Sequence, residues 1–217
     1  MNKYEAEIFN ELEAAYPDSK IALNFDNDFQ LLVAVILSAQ CTDERVNKVT
    51  PALFSRFPDA LAFYNSDIEE VKKLIFSTGF YNNKAKSIKG AAKTVVEKFN
   101  GILPSTMEEL LTLPGVARKT ANVVLCTLFN KSYGVTVDTH VIRLSGRLNL
   151  VPSKMSETKN ANAIEKILMK IYPKNNWCKL PHLFIFHGRN ICTARRPKCS
   201  KCVIEKYCPS SLLKDSK

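Results

Sequence analysis

Glycine is scarce in this 217-residue chain, with seven residues in all. Few segments alternate apolar and polar residues with period two, so the strand-and-turn punctuation of a β-protein is missing. No apolar run is long enough to span a bilayer. The longest, Phe29 to Ala39, is broken by Gln30 and Ser38 and reads as a buried helix. The N-terminal residues, Met-Asn-Lys-Tyr-Glu-Ala-Glu, hold no apolar stretch of the kind that heads a secreted chain. Histidine occurs three times, as His140, His182 and His187, with no His-x-x-His or Glu-x-x-His pair to hold a metal. No 20–50-residue repeat is present, which excludes a solenoid or propeller.

Cysteine, by contrast, is plentiful, and four of the seven fall near the end of the chain. Cys192, Cys199, Cys202 and Cys208 form the spacing C-x6-C-x2-C-x5-C. Four thiolates in so short a stretch select zinc or an iron–sulfur cluster. Structural zinc sites more often show two Cys-x-x-Cys pairs with a longer spacer, and here only Cys199 and Cys202 form such a pair. A disulfide reading is poor, because seven cysteines would leave one thiol unpaired.

Positive charge is in excess, with 31 Lys and Arg against 21 Asp and Glu, a net +10. That balance favours an anionic partner. Nucleic acid fits better than a membrane surface, because no strongly basic helix with an exposed aromatic face is found.

The apolar spacing is helical almost throughout, so the fold expected is all-α with short connectors. Residues 3–15 are amphipathic, with Ile8, Leu12 and Ala15 at three- and four-residue intervals. Residues 28–40 are apolar on nearly all sides. Ser66 to Glu69 and Ser105 to Glu108 read as capping boxes that open helices running to about Phe76 and Leu111. Further helices are expected over 83–99, 117–129, 139–147, 156–171 and 178–191. No element is assigned between 41 and 65.

Two segments carry candidate chemistry. In the first, Leu113-Pro-Gly-Val-Ala-Arg-Lys119, Pro114 and Gly115 make a tight turn before a new helix. Backbone N–H groups at such a helix start, with the positive end of the macrodipole, bind a phosphate without reading sequence. Arg118 and Lys119 add charge there. The same segment also reads as an ordinary connection with solvated basic residues. An ammonium in the first turn of a helix faces the wrong end of the dipole, which favours the neutral amine, a nucleophile able to form an imine with a sugar carbon. In the second segment, Val137-Asp138-Thr-His-Val141, Asp138 is either a helix N-cap or a carboxylate that takes a proton or stabilises positive charge on a sugar.

With Leu-Ser-Ala-Gln-Cys-Thr-Asp at 37–43, Gly-Phe-Tyr-Asn-Asn-Lys-Ala at 79–85 and His187-Gly-Arg ahead of the four cysteines, these motifs resemble the endonuclease III family of DNA glycosylases with abasic-site lyase activity. The resemblance covers nearly the whole chain. It implies a two-lobed helix–hairpin–helix glycosylase fold. One lobe is a six-helix barrel over 22–133 that includes the hairpin at 106–129. The other combines 1–21 with 134–217 and carries the cluster loop 192–208, with a DNA cleft between the two.

It further implies that Lys119 is the nucleophile at C1′ and that Asp138 assists it at the cleft. Gln40 and Phe80 would fill the gap left by a flipped nucleotide, and Asp43 would face the opposing strand. Leu113, Gly115, Ala117 and Arg118 would hold the DNA backbone, with Arg195 and Lys198 gripping phosphates from the cluster loop. The four cysteines would hold a [4Fe-4S] cluster rather than zinc. Ala117 stands where the family usually has a glycine, and Phe80 where it more often has leucine.

The substrate implied is duplex DNA bearing oxidised pyrimidines or abasic sites. The protein is expected to be a monomer, cytoplasmic and nucleoid-associated, without a signal peptide. Two other readings remain: an adenine-mismatch or other monofunctional glycosylase, which usually lacks the lysine, and a non-catalytic iron–sulfur DNA-binding module.

Overall fold

The computed structural model describes residues 1–214, and among these every regular element is helical. The chain divides into two compact units. One is Ala22–Lys131; the other joins Met1–Ile21 to the chain from Ser132 onward.

The unit Ala22–Lys131 is built around α2 (Asp28–Ser38). Nine consecutive residues, Phe29 to Leu37, are buried, so this helix has no polar face to give to water. Gln30 is tolerated inside because its side-chain amide donates to Pro58 O and its oxygen accepts from Asp26 N. α3 (Asp43–Arg56), α6 (Tyr81–Phe99) and α8 (Arg118–Phe129) pack on α2. α4 (Ala60–Asn65) and α5 (Ile68–Ile75) pack on α6, and the single turn α7 (Met107–Leu110) leads into α8. Phe63 of α4 lies between Phe29 and Phe57, with ring centroids 5.7 and 5.2 Å away.

The second unit contains α1 (Lys3–Ala15), α9 (Thr139–Arg147), α10 (Ser153–Glu157), α11 (Ala161–Ile171) and α12 (Lys179–Asn190). Its core gathers Ile8 and Leu12 with Val141, Leu144, Ile164, Leu168, Leu183 and Phe184. No helix of the described residues is long and apolar enough to cross a membrane.

The structure departs from the sequence expectations in three places. The stretch 41–65, to which the periodicity assigns nothing, holds α3 and α4. α3 is largely polar and carries Pro51 in its interior, which removes a backbone donor and masks the helical signal. The expected helix 156–171 is two helices. Lys159 between them has φ +53°, and Asn160 caps α11 by accepting from Ala163 N at 3.1 Å. Neither expected capping box forms, and each helix is instead capped by the next residue along. Asp67 accepts from Glu69 N and Thr106 from Glu109 N, while the Ser66 hydroxyl turns back to Phe63 O at the end of α4.

Phe63→Ala is expected to destabilise the unit Ala22–Lys131 by about 3–5 kcal/mol, because it empties a fully buried aromatic site. Denaturant unfolding followed by helix content measures this, and a loss under about 1 kcal/mol would contradict the packing described.

Candidate functional site

In the unit Ala22–Lys131, α7 and α8 are joined by a hairpin. Leu113 N donates to Leu110 O, and Val116 N donates to Leu113 O at 3.1 Å. The second bond closes a four-residue turn whose third residue, Gly115, has φ +78°. That is the pattern of a type II turn, with Pro114 in the position that proline favours. A Cβ on Gly115 would also lie 2.4 Å from Ser87 Cβ. Pro114 sits so close over α6 that a Cβ on Gly90 would meet its ring at 2.9 Å.

Leu113 and Val116 are buried and anchor the turn, so of Leu113 only the backbone can meet a ligand. Gly115, Ala117, Arg118 and Lys119 are exposed. Ala117 is the N-cap of α8 in an extended conformation, φ −90° and ψ 169°. Alanine is therefore unstrained here, and the glycine usual in the family is not required by the backbone. No side chain caps α8, whereas Asn2, Asn27, Thr42 and Asp138 cap their own helices. Lys119 is the second residue of α8, in its first turn.

Gln40 and Phe80 share an unusual backbone. Gln40 has φ +53° and follows Ala39 at φ −59°, ψ 115°, in a turn closed by Cys41 N donating to Ser38 O. It thus occupies the position of a type II turn that glycine usually fills. Phe80, at φ +48° and 65 % exposed, precedes α6. Left-handed backbone at bulky residues costs of order 1–3 kcal/mol each and is found mostly where function holds it. Asp43 is the first residue of α3. The cap itself is Thr42, which accepts from Arg45 N, so Asp43 is not the N-cap.

In the other unit, Asp138 is the N-cap of α9. Its Oδ1 accepts from His140 N and Val141 N, both at 2.8 Å. Two bonds to one oxygen fix the carboxylate plane and leave Oδ2 for another partner. Further along α9, two arginines grip the cysteine loop. Arg143 donates to Cys192 O at 3.0 Å, to Gly188 O at 2.9 Å and shares a contact with His140 Nδ1 at 3.0 Å. Arg147 donates to Thr193 O and Ala194 O at 2.8 Å each and to Cys192 Sγ at 3.1 Å.

Cys192, Cys199, Cys202 and Cys208 are free thiols. All four line one small cavity of about 30 Å³ beside Arg147 and Pro197. Among the described residues no three His, Cys, Asp or Glu side chains form a group arranged to hold a single metal ion. Burial pushes the Cys202 thiol up to about 11 and raises Cys208 as well. Thiols in such a place ionise when a cation replaces their protons, so the donor set fits a thiophilic metal or iron–sulfur group.

His187 touches one of these thiols, that of Cys202. Burial lowers it to about 4, so the ring is neutral near pH 7. Its Nε2 lies 3.3 Å from Cys202 Sγ and its Nδ1 3.0 Å from the Tyr16 hydroxyl. A neutral imidazole donates through one nitrogen and accepts through the other, so it links tyrosine to sulfur. Arg195 and Lys198 lie exposed on the loop. The sequence reading did not single out Arg147, Tyr16 or the contact of His187 with sulfur. Their partners lie 45, 171 and 15 residues away, and no local spacing marks them.

Residues 33–174 match the profile of the HhH-GPD superfamily base excision DNA repair protein, and residues 192–208 that of the iron–sulfur binding domain of endonuclease III. The chain is 53% identical over 205 residues to endonuclease III of Synechocystis sp., covering 94% of this chain and 91% of that one. It is 40% identical over 209 residues to endonuclease III of Escherichia coli K12, with 96% of each covered. Among solved structures, a non-covalent endonuclease III–DNA complex superposes with a TM-score of 0.87 at 39% identity, over 100% of both chains. A trapped endonuclease III–DNA covalent intermediate gives 0.86 at 38% identity, again over 100% of both.

The fold and the hairpin therefore define a helix–hairpin–helix base excision glycosylase. More narrowly, the chain belongs to the endonuclease III family. It is a DNA glycosylase with abasic-site lyase activity, binds DNA, and takes a [4Fe-4S] cluster.

Gly115→Ala is expected to destabilise the protein by at least about 1–3 kcal/mol from the left-handed backbone alone, with the Ser87 clash added. Adding Ser87→Gly should relieve the clash but not the backbone cost. Urea midpoints of the two variants against wild type measure both parts.

Proposed function

We propose that the protein removes oxidised pyrimidines from duplex DNA and cuts the resulting abasic site through an imine on Lys119. The observation that carries this reading is the placement of Lys119. Its side chain is exposed in the first turn of an uncapped helix, immediately after the Gly115 turn. A helix start of this kind holds a DNA phosphate, which brings a deoxyribose to the lysine. A structural relative has been caught as a trapped covalent intermediate with DNA, which supports a covalent step here.

The Lys119 amine attacks C1′ of the damaged nucleotide. The C1′–N bond breaks and the base leaves with the bonding pair. The sugar ring opens, Nζ loses its proton, and C1′ becomes an imine. Loss of a proton from C2′ then expels the 3′ phosphate by β-elimination, and water releases the lysine. Asp138 assists through Oδ2, as proton acceptor or as a charge opposite the developing oxocarbenium. Its Oδ1 bonds at the start of α9 keep it oriented for that task.

Gln40 and Phe80 fill the space left in the stack when the nucleotide is flipped out. Phe80 offers an aromatic face to the neighbouring bases, and Asp43 faces the opposing strand. Gly115, Ala117, Arg118 and the Leu113 backbone contact phosphates of the lesion strand.

Cys192, Cys199, Cys202 and Cys208 hold the [4Fe-4S] cluster, which when bound supplies four iron–thiolate bonds that tie the loop together. The loop in turn presents Arg195 and Lys198 to phosphates. The protein acts as a monomer, in the compartment that holds the DNA.

Borohydride reduction during reaction with a thymine glycol duplex tests the chemistry. Wild type is expected to give a covalent protein–DNA adduct and Lys119→Ala none. Base release without an adduct in wild type would make the enzyme monofunctional. Arg195→Ala and Lys198→Ala test the loop. Each should lower the slope of log K against log salt by roughly 0.9, with equal loss on damaged and undamaged duplex.

A further inference from the structure

Lys84, the fourth residue of α6, is a buried lysine with 6% of its surface exposed. The glycosylase chemistry above does not use it. Burying an ammonium is costly unless hydrogen bonds replace its water. Here Nζ donates to Leu37 O and to Thr78 O, each at 2.8 Å. We propose that Lys84 is a positioning residue for the enzyme's reaction on duplex DNA. Its ammonium fastens together the two chain segments that present Gln40 and Phe80. The inference rests on the reading of those two residues as gap fillers.

The bonds fall where each segment needs an anchor. Leu37 lies at the end of α2, where helix carbonyls lose their own partners. Val35 O is taken by the Ser38 hydroxyl, Ile36 O by Ala39 N and Ser38 O by Cys41 N. Lys84 takes Leu37 O, three residues before Gln40. On the other side, Thr78 O lies two residues before Phe80. The Lys84 backbone N–H also donates to Phe80 O at 3.1 Å. One residue thus closes the loop 78–84 twice, through its backbone and through its side chain.

Gln40 and Phe80 both have left-handed backbones, a state that surrounding structure must hold in place. Pairing through one ammonium also fixes the distance between the two turns. A hydrophobic side chain of the same length would fill the space but leave two buried carbonyls without donors.

The discriminating comparison is between duplex and single-stranded substrate. Gap filling matters only where an opposing strand leaves a hole. Lys84→Met should slow single-turnover base release from a thymine glycol duplex by about tenfold or more. Lyase cutting of a single-stranded abasic oligonucleotide should stay within about twofold of wild type, a change well inside a neutral substitution's range. A general loss of structure would lower both.

A cycle with Gln40→Ala/Phe80→Ala completes the test. If Lys84 acts through those residues, adding Lys84→Met to that double variant costs nothing more on duplex. Multiplying effects, or an unchanged duplex-to-single-strand ratio in Lys84→Met, would overturn the inference while leaving gap filling intact. A Gln40→Ala/Phe80→Ala enzyme with full duplex activity would overturn gap filling itself, and this inference with it. Should Lys84→Met not fold, Lys84→Gln carries the same comparisons, because its single amide reaches one carbonyl at a time.

Discussion

The grip of α9 on the cysteine loop is the constraint on which the unit containing both chain ends depends. A nine-residue helix carries a capping carboxylate at its start and arginines at its middle and its end. Val141 and Leu144 are buried in the core and set the rotation of the helix. With the rotation set, Arg143 and Arg147 reach the backbone of 188–194, and Asp138 is held at the helix mouth by two amides. Guanidinium groups suit this work. They carry several donors in a fixed plane and stay charged when half buried. The loop they hold is largely polar and is tied to the core through Ile204.

The unit Ala22–Lys131 solves a different problem. Its core is a helix buried on all sides, which is rigid, and the positions proposed to meet DNA are turns at the ends of helices, which are not regular at all. Three of these turns, at Gln40, Phe80 and Gly115, use left-handed backbone. Glycine accepts that geometry freely, and the other two positions carry large side chains instead. A side chain projected from a tight turn at a helix end moves little when the helix is fixed. This suits the gap-filling role proposed for Gln40 and Phe80.

The sequence carried most of the fold because burial here is written in helical spacing. α1, α2 and α8 were legible from apolar residues three and four apart. What stayed hidden has physical reasons. α3 contains a proline and turns only Val46, Thr50, Leu53 and Phe54 inward, so its apolar stripe is thin. The break at Lys159 is a left-handed lysine, a conformation that sequence rules assign to glycine or asparagine. Each capping box offered two neighbouring candidates, Ser66 beside Asp67 and Ser105 beside Thr106, and local spacing does not choose between them. The four cysteines, the hairpin turn and Asp138 stood out by residue type. Arg147 and Tyr16 did not, nor did the contact of His187 with Cys202, because their partners are distant in the chain.

The connectivity sets an order of events during synthesis. α1 emerges before Ala22–Lys131, yet the surface that covers Ile8 and Leu12 is made of residues from Val135 onward. Tyr4 donates to Tyr207 O, across a separation of 203 residues. Ala22–Lys131, by contrast, holds its own core within one continuous stretch and can collapse while the ribosome is still at work. Closing so long a loop costs little free energy, since each doubling of length adds only about 0.6 kcal/mol. The cost is paid in time: α1 waits, its apolar face uncovered, until the helices that carry Val141 to Phe184 have been joined.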